Sequence, residues 1–113
     1  MNNGIRVTDY LGETIQCECG KTHSADIERI EISAGALGKV AQFIHEDDFR
    51  KPFVVMDRNT YGVAGKQLQA LMSEEQINFV AYTFDDEQLV PDEHALGKLF
   101  MNYDEECDLI IGV

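Results

Sequence analysis

The amino-acid sequence predicts an α/β domain, built as an open parallel sheet with helices on both faces and preceded by an irregular or hairpin N-terminal arm. Short apolar runs alternate along the chain with stretches whose apolar residues recur at helical spacing. The run at 53–56 is continuously apolar, which is typical of a strand buried on both faces. Glycines punctuate residues 1–26 as turn signals, so we assign those residues to the arm and residues 27–113 to the domain.

The elements of the domain follow in the order β-α-β-α-β-α-β, and strands that alternate with helices indicate a parallel sheet. The strands are predicted at 27–32, 53–56, 77–82 and 108–113. The apolar faces of the three helices are predicted at Leu37, Val40, Ala41 and Ile44, then Ala64, Leu68, Leu71 and Met72, then Leu96, Leu99, Phe100 and Tyr103. Because the sequence ends on an apolar strand, we expect a domain truncated after its fourth strand, with a short natural protein as the alternative.

Composition and charge exclude several classes of function. The chain has 113 residues and a formal net charge of -12, a field that repels nucleic acid and anionic membrane surfaces. It has neither a signal-peptide pattern nor an apolar stretch of the roughly 20 residues that a membrane span needs. Three cysteines without a regular framework argue against a secreted disulfide scaffold. We therefore expect a cytoplasmic protein with reduced thiols.

Ligands of open α/β sheets bind beyond the carboxyl ends of the strands. The segments after the first three predicted strands are 33–38, 57–61 and 83–86. Asp57 is the most informative residue, because a carboxylate there can accept hydrogen bonds from the two hydroxyls of a ribose and would repel a 2′-phosphate, which favours NAD over NADP. The alternative is that Asp57 caps the next helix. Segment 33–38 has two glycines but is not a GxGxxG fingerprint, so a helix-start turn explains it better.

A second group of residues has the chemistry of metal ligands. Cys17, Cys19 and His23 form the pattern Cys-x-Cys-Gly-x-x-His, and thiolates with imidazole suit zinc. The spacing is not that of a common zinc finger, and a fourth ligand is missing. A cysteine-containing turn without metal is therefore the preferred interpretation, and this trio is the weaker candidate.

Four segments in order along the chain resemble one enzyme family. They are Cys17-Glu-Cys-Gly-Lys-Thr-His23 with Ile30-Glu-Ile-Ser-Ala-Gly-Ala-Leu37, Val54-Val-Met-Asp-Arg-Asn-Thr-Tyr-Gly-Val-Ala-Gly65, Leu89-Val-Pro-Asp-Glu-His-Ala-Leu-Gly-Lys98, and Asp108-Leu-Ile-Ile-Gly-Val113. Together they resemble the N-terminal domain of the NAD(P)-dependent glycerol-1-phosphate dehydrogenases, within the iron-containing alcohol dehydrogenase and dehydroquinate synthase-like superfamily. The segment around Asp57, Asn59 and Thr60 is the most specific.

The resemblance implies a Rossmann-like domain of a larger oxidoreductase that transfers hydride between NAD(P)(H) and dihydroxyacetone phosphate or sn-glycerol 1-phosphate. It implies a catalytic zinc or other divalent metal in a C-terminal domain that this chain lacks, and a possible homo-oligomer. It implies no catalytic residue in this chain, which alone should bind NAD weakly at best. The cofactor-binding residues carried over by position are Asp57, Asn59, Thr60, Thr83, Phe84 and Gly112, with Thr83 and Phe84 near the adenine and Gly112 at the start of a pyrophosphate loop.

Two other functions are compatible with the sequence. The first is a standalone, non-catalytic α/β module that binds partners through its acidic surface or sheet edge. The second is a small interaction domain stabilised by zinc on Cys17, Cys19 and His23. The metal content of the purified protein separates the second from the others.

Overall fold

The fold was analysed in a computed structural model, which describes residues 11–24 and 26–113. The chain forms two compact units, Met1–Ala34 and Gly35–Val113. The second unit contains a mixed helix and strand architecture with a parallel sheet, which confirms the predicted α/β class.

The first unit contains an antiparallel hairpin of β1 (Thr14–Gln16) and β2 (Thr22–Ser24), with Ile15 opposite His23. The turn is closed by a 3.0 Å hydrogen bond from the Gly20 amide to the Cys17 carbonyl. Gly20 has a φ of 86°, a conformation that a residue with a Cβ adopts at a steric cost. The N-terminal arm is therefore a hairpin over these residues.

The strand predicted at 27–32 is wrong, because those residues form no strand in the described structure. Ile27 and Ile32 are exposed, and Ile30 is half-buried. The three isoleucines do not alternate strictly, and charged residues separate them, so neither face of an extended segment would be apolar. The high β-propensity of isoleucine does not produce a strand here, because the segment has no apolar face to bury.

The second unit follows the predicted alternation from its first helix onward. A 3-10 turn (Ala36–Gly38) leads into α1 (Lys39–Glu46), and β3 (Pro52–Asp57) follows. A continuous helical segment comes next, made of α2 (Arg58–Thr60), a π-helical turn (Tyr61–Gly65) and α3 (Lys66–Glu74). The remaining elements are β4 (Val80–Phe84), α4 (Glu93–Asn102) and β5 (Leu109–Gly112).

The sheet has the strand order β4-β3-β5, and both pairs of strands are parallel. β3 is central and is covered on both faces, which explains its continuous apolar run. Val54 and Met56 join the core under α1 and α3, and Phe53 and Val55 face α4. β4 begins at Val80, three residues later than the predicted 77–82. Ile77 is instead buried in the loop, where its amide closes the end of α3 through a 2.9 Å bond to the Met72 carbonyl.

The helices cover the two faces of the sheet unequally. The crossover from β3 to β4 and the crossover from β4 to β5 run in opposite directions across the sheet, so right-handed connections place their helices on opposite faces. One face therefore carries both α1 and α3, whereas α4 covers the other face. On that second face the side chains of Phe100 and Ile110 are 72% and 66% exposed. None of the described helices is long and apolar enough to cross a membrane.

Candidate functional site

A crevice forms where β3 and β4 end side by side. The two strands are hydrogen-bonded neighbours, with Asp57 in register with Phe84. The chain leaves β3 toward the α3 face and leaves β4 toward the α4 face. Adjacent strands whose connections diverge in this way create the usual ligand crevice of an open α/β sheet.

The crevice contains a cleft of about 350 Å³. Its lining is mostly polar and comes from the two loops that follow β3 and β4. The lining residues are Asp57, Arg58, Asn59, Asp86, Glu87 and Leu89. A cleft of this size falls within the range of small-molecule sites, and Leu89 adds an apolar wall.

Asp57 is the last residue of β3 and the N-cap of the helix that follows. Its Oδ1 accepts a 2.8 Å hydrogen bond from the Thr60 amide, and its own amide donates a 2.9 Å bond to Thr60 Oγ1, which completes a capping box. The Thr60 amide, with smaller contributions from the Thr60 hydroxyl and the Asn59 amide, lowers the pKa of Asp57. Asp57 is therefore a fixed carboxylate that both caps the helix and lines the cleft.

Asn59 and Thr60 occupy the first turn of that helix and differ in their surroundings. Asn59 lines the cleft. The Thr60 hydroxyl lies within hydrogen-bond distance of the Asp57 amide and of the Asp57 carbonyl, at 2.9 and 3.3 Å. Thr60 therefore holds Asp57 in place, and Asn59 is the better placed of the two for a ligand.

Thr83 and Phe84 lie at the end of β4, where Phe84 is in register with Asp57 and Thr83 is in register with Met56. Thr83 is half-buried. Phe84 is 3% exposed, and its ring packs edge-on against Tyr82 with centroids 4.9 Å apart. The buried Phe84 ring is therefore not an open stacking platform for a base.

Gly112 lies on the other side of β3 from the crevice. It is the last residue of β5 and is in register with Val55, two residues before Asp57. It is exposed, and a Cβ built on it would meet no atom within 4 Å. Among the described residues, Asp57 and Asn59 therefore line the cleft. Thr83 and Phe84 end the neighbouring strand without lining the cleft, and Gly112 lies on the strand at the other side of β3.

Sequence reasoning missed the charged residues that cross the crevice. Arg58 pairs with the Asp85 carboxylate through its Nε and donates a 2.7 Å hydrogen bond to the Asp85 carbonyl, so it joins the loops after β3 and β4. This pairing lowers the pKa of Asp85 and raises that of Arg58. Lys98 on α4 pairs with Asp86 at 3.2 Å. The charge of Arg58, directly after Asp57, is the sequence signal for an acidic partner in the loop after β4.

Two other predicted positions lie elsewhere. Segment 33–38 does not follow a strand, since the predicted strand before it is absent. Gly35, with a φ of 77°, instead starts the 3-10 turn that leads into α1. Cys17, Cys19 and His23 lie together on the N-terminal hairpin.

The fold and crevice define a class of protein: an open α/β domain with a polar ligand cleft at a switch point in its sheet, the place where such domains commonly bind nucleotides. Within that class, the chain resembles glycerol-1-phosphate dehydrogenases [NAD(P)+] over 87% of its length. It is 28% identical over 102 residues to the enzyme of Halalkalibacterium halodurans, and 24% identical over 101 residues to that of Geobacillus thermodenitrificans.

The chain spans about a quarter of these curated relatives, 26% and 25% of their lengths. The resemblance is consistent with a partial N-terminal domain of that family. No family model matches the chain, and no solved structure matches it.

Proposed function

We propose that this chain forms the nucleotide-binding part of an NAD(P)-dependent oxidoreductase that interconverts dihydroxyacetone phosphate and sn-glycerol 1-phosphate. The observation that carries the proposal is the position of Asp57, an ionised carboxylate held at the end of a central parallel strand and at the mouth of a cleft. The similarity to two glycerol-1-phosphate dehydrogenases over most of the chain supports the same assignment.

In this proposal the Asp57 carboxylate accepts hydrogen bonds from the two hydroxyls of the adenosine ribose. The capping bond from the Thr60 amide uses Oδ1 and fixes the side chain before the ligand arrives, which lowers the entropic cost of binding. Asn59 borders the ribose, and Leu89 offers an apolar surface to the adenine. Thr83 stands at the rim, and Phe84 supports the floor of the site.

The charges around the cleft favour NAD over NADP. Three carboxylates line the cleft, those of Asp57, Asp86 and Glu87, and the neighbouring cation Arg58 is paired with Asp85. A 2′-phosphate on the ribose would face those carboxylates, and its approach to Arg58 would require the Arg58–Asp85 pair to break. We therefore assign no phosphate-binding role to this rim of the cleft and place the pyrophosphate near Gly112.

Hydride transfer itself needs groups that this segment does not bring to its cleft. We assign the catalytic divalent metal and the substrate-binding residues to further polypeptide of the enzyme, because the chain spans about a quarter of its relatives. The metal would polarise the substrate carbonyl as a Lewis acid. The role of the present residues is to bind the cofactor and orient it.

The experiment is to isolate the native polypeptide from its own cells with an antibody to this sequence, and to measure its intact mass and its oxidation of NADH with dihydroxyacetone phosphate. The proposal predicts a species several times heavier than 12.7 kDa that oxidises NADH when dihydroxyacetone phosphate is added. A species of 12.7 kDa without this activity would contradict it and would favour a standalone binding module.

A further inference from the structure

Three side chains with metal-binding chemistry converge on the N-terminal hairpin. The ligand atoms of Cys17, Cys19 and His23 all lie within 4.8 Å of one another. The closest measured pair is Cys19 Sγ and His23 Nε2, which are 3.2 Å apart. Cys17 and Cys19 lie in the turn that follows β1, and His23 lies in β2, so the cluster joins the turn to β2.

The backbone of the turn is arranged to present both sulfur atoms on one side. The Cys17 amide donates to the Lys21 carbonyl at 3.1 Å, and the left-handed Gly20 allows the chain to reverse tightly after Cys19. The Cys19 amide lies 3.5 Å from Cys17 Sγ, as a donor to that sulfur. An amide that points at a sulfur stabilises its thiolate form, which is the form that binds metals.

The described part of the hairpin has no apolar core to stabilise it. Every residue of β1 and β2 is exposed, including Ile15. An isolated two-stranded hairpin is at best marginally stable in water. A cross-link within the hairpin would stabilise it in the absence of an apolar core. Metal binding is one source of folding free energy in small units of this kind.

We propose that Cys17, Cys19 and His23 bind one Zn²⁺ per chain, with water in the fourth position. The bound zinc would cross-link the turn of the hairpin to β2. Zinc bonds of about 2.3 Å to sulfur and 2.0–2.1 Å to nitrogen imply ligand atoms roughly 3.5–3.8 Å apart in a tetrahedral site. The three ligand atoms lie within 4.8 Å of one another, which is close to that separation. Two thiolates and an imidazole select zinc over magnesium or calcium, which prefer oxygen ligands.

The sequence alone favoured a metal-free turn because it offered no fourth protein ligand. The exposure of all three side chains answers that objection, since solvent has access to the remaining position.

The test is a titration of the reduced, metal-free full chain with Zn²⁺ in competition with a chromophoric chelator. We expect one equivalent of zinc per chain. Cys17→Ser, Cys19→Ser and His23→Gln should each weaken binding by at least about tenfold, since even the loss of an outer partner of a metal ligand typically costs 10–100-fold. Amide spectra of the zinc-bound chain should show changes confined to the hairpin.

Two matched controls keep the proposal testable if a hairpin variant loses local structure. Cys107→Ser removes the buried third cysteine, and His94→Gln removes an exposed histidine on α4, so both should bind zinc as tightly as the parent chain. Any of three results would contradict the proposed zinc site: no zinc bound, unchanged affinity in the Cys19→Ser and His23→Gln variants, or one zinc shared by two chains.

Discussion

At the scale of single residues, Asp57 combines two roles that substitution can separate. Asparagine is as good an N-cap as aspartate, so Asp57→Asn removes the charge and retains the acceptor for the Thr60 amide. Thr60→Ala retains the charge and removes the hydroxyl that accepts from the Asp57 amide. We predict that Asp57→Asn lowers the unfolding temperature slightly at neutral pH, because it removes a charge whose pKa the cap lowers, and that Thr60→Ala lowers it more. The reverse order would contradict the capping box.

Asp108 is a second carboxylate whose hydrogen bonds have a measurable consequence. It accepts from the amides of Lys51 and Arg50, each at 2.9 Å, and these two donors, Lys51 first, lower its pKa. A group with a lowered folded-state pKa stabilises the fold above its unfolded value, here 3.8, and loses that contribution as the pH falls through the folded value.

Asp108→Asn should therefore lower the melting temperature at neutral pH, and the difference from the parent chain should shrink as the pH falls below about 3.8. Glu105→Gln is the control, because it removes the same charge from a nearby exposed side chain. Thermal unfolding followed by circular dichroism across this pH range measures both. A difference independent of pH would show that the Asp108 charge has no part in stability.

At the scale of elements, the helix after β3 lies unusually close to the sheet at one glycine. Gly65 is buried at the end of the π-helical turn, and a Cβ built there would overlap the buried Met56 sulfur. Overpacking costs about 1–3 kcal/mol, whereas alanine gains up to about 1 kcal/mol over glycine in a helix. We predict that Gly65→Ala lowers the free energy of unfolding by on the order of 1 kcal/mol.

Gly62, three residues earlier in the same turn, is the matched control. It is exposed, and its added Cβ would meet no atom within 4 Å, so Gly62→Ala should be neutral or stabilising. Denaturant unfolding of both variants measures the difference. Equal effects would mean that the close approach of helix and strand does not constrain this position.

The elements also show what the sequence could and could not predict. The sequence predicts β3 and α4 because a continuous apolar run and apolar residues at helical spacing are local signals. Asp92 caps α4 by accepting hydrogen bonds from the amides of His94 and Ala95. The strand at 27–32 was wrong because isoleucine content is not evidence of a pairing partner. The Arg58–Asp85 bridge joins residues 27 apart, and no local pattern predicts such a contact before the strand order is known.

At the scale of the whole molecule, the two faces of the sheet should respond differently to substitution. Leu68 lies on the core-facing side of α3 and is almost fully buried, so Leu68→Ala should cost about 2–5 kcal/mol. Phe100 lies on the face that α4 covers alone and is mostly exposed, so Phe100→Ser should change the stability of this chain by less than about 0.5 kcal/mol.

The same comparison has a second readout, the fluorescence of a dye that binds exposed apolar surface. An apolar groove lined partly by Leu96, Leu99 and Phe100 lies between α4 and the sheet. Phe100→Ser should reduce dye binding, and a correctly folded Leu68→Val variant should not. A loss of stability in Phe100→Ser as large as that in Leu68→Ala would mean that this face is covered in solution.

The central claim is that the crevice between β3 and β4 binds the ribose of a nucleotide through Asp57. The most direct measurement is a titration of the isotope-labelled chain with NAD, followed by amide chemical shifts, in the parent, Asp57→Asn and Thr60→Ala proteins. The account predicts weak binding with shifts centred on the loops after β3 and β4, abolished in Asp57→Asn and retained in Thr60→Ala. Shifts elsewhere on the chain, or equal affinity in the parent and Asp57→Asn proteins, would contradict it.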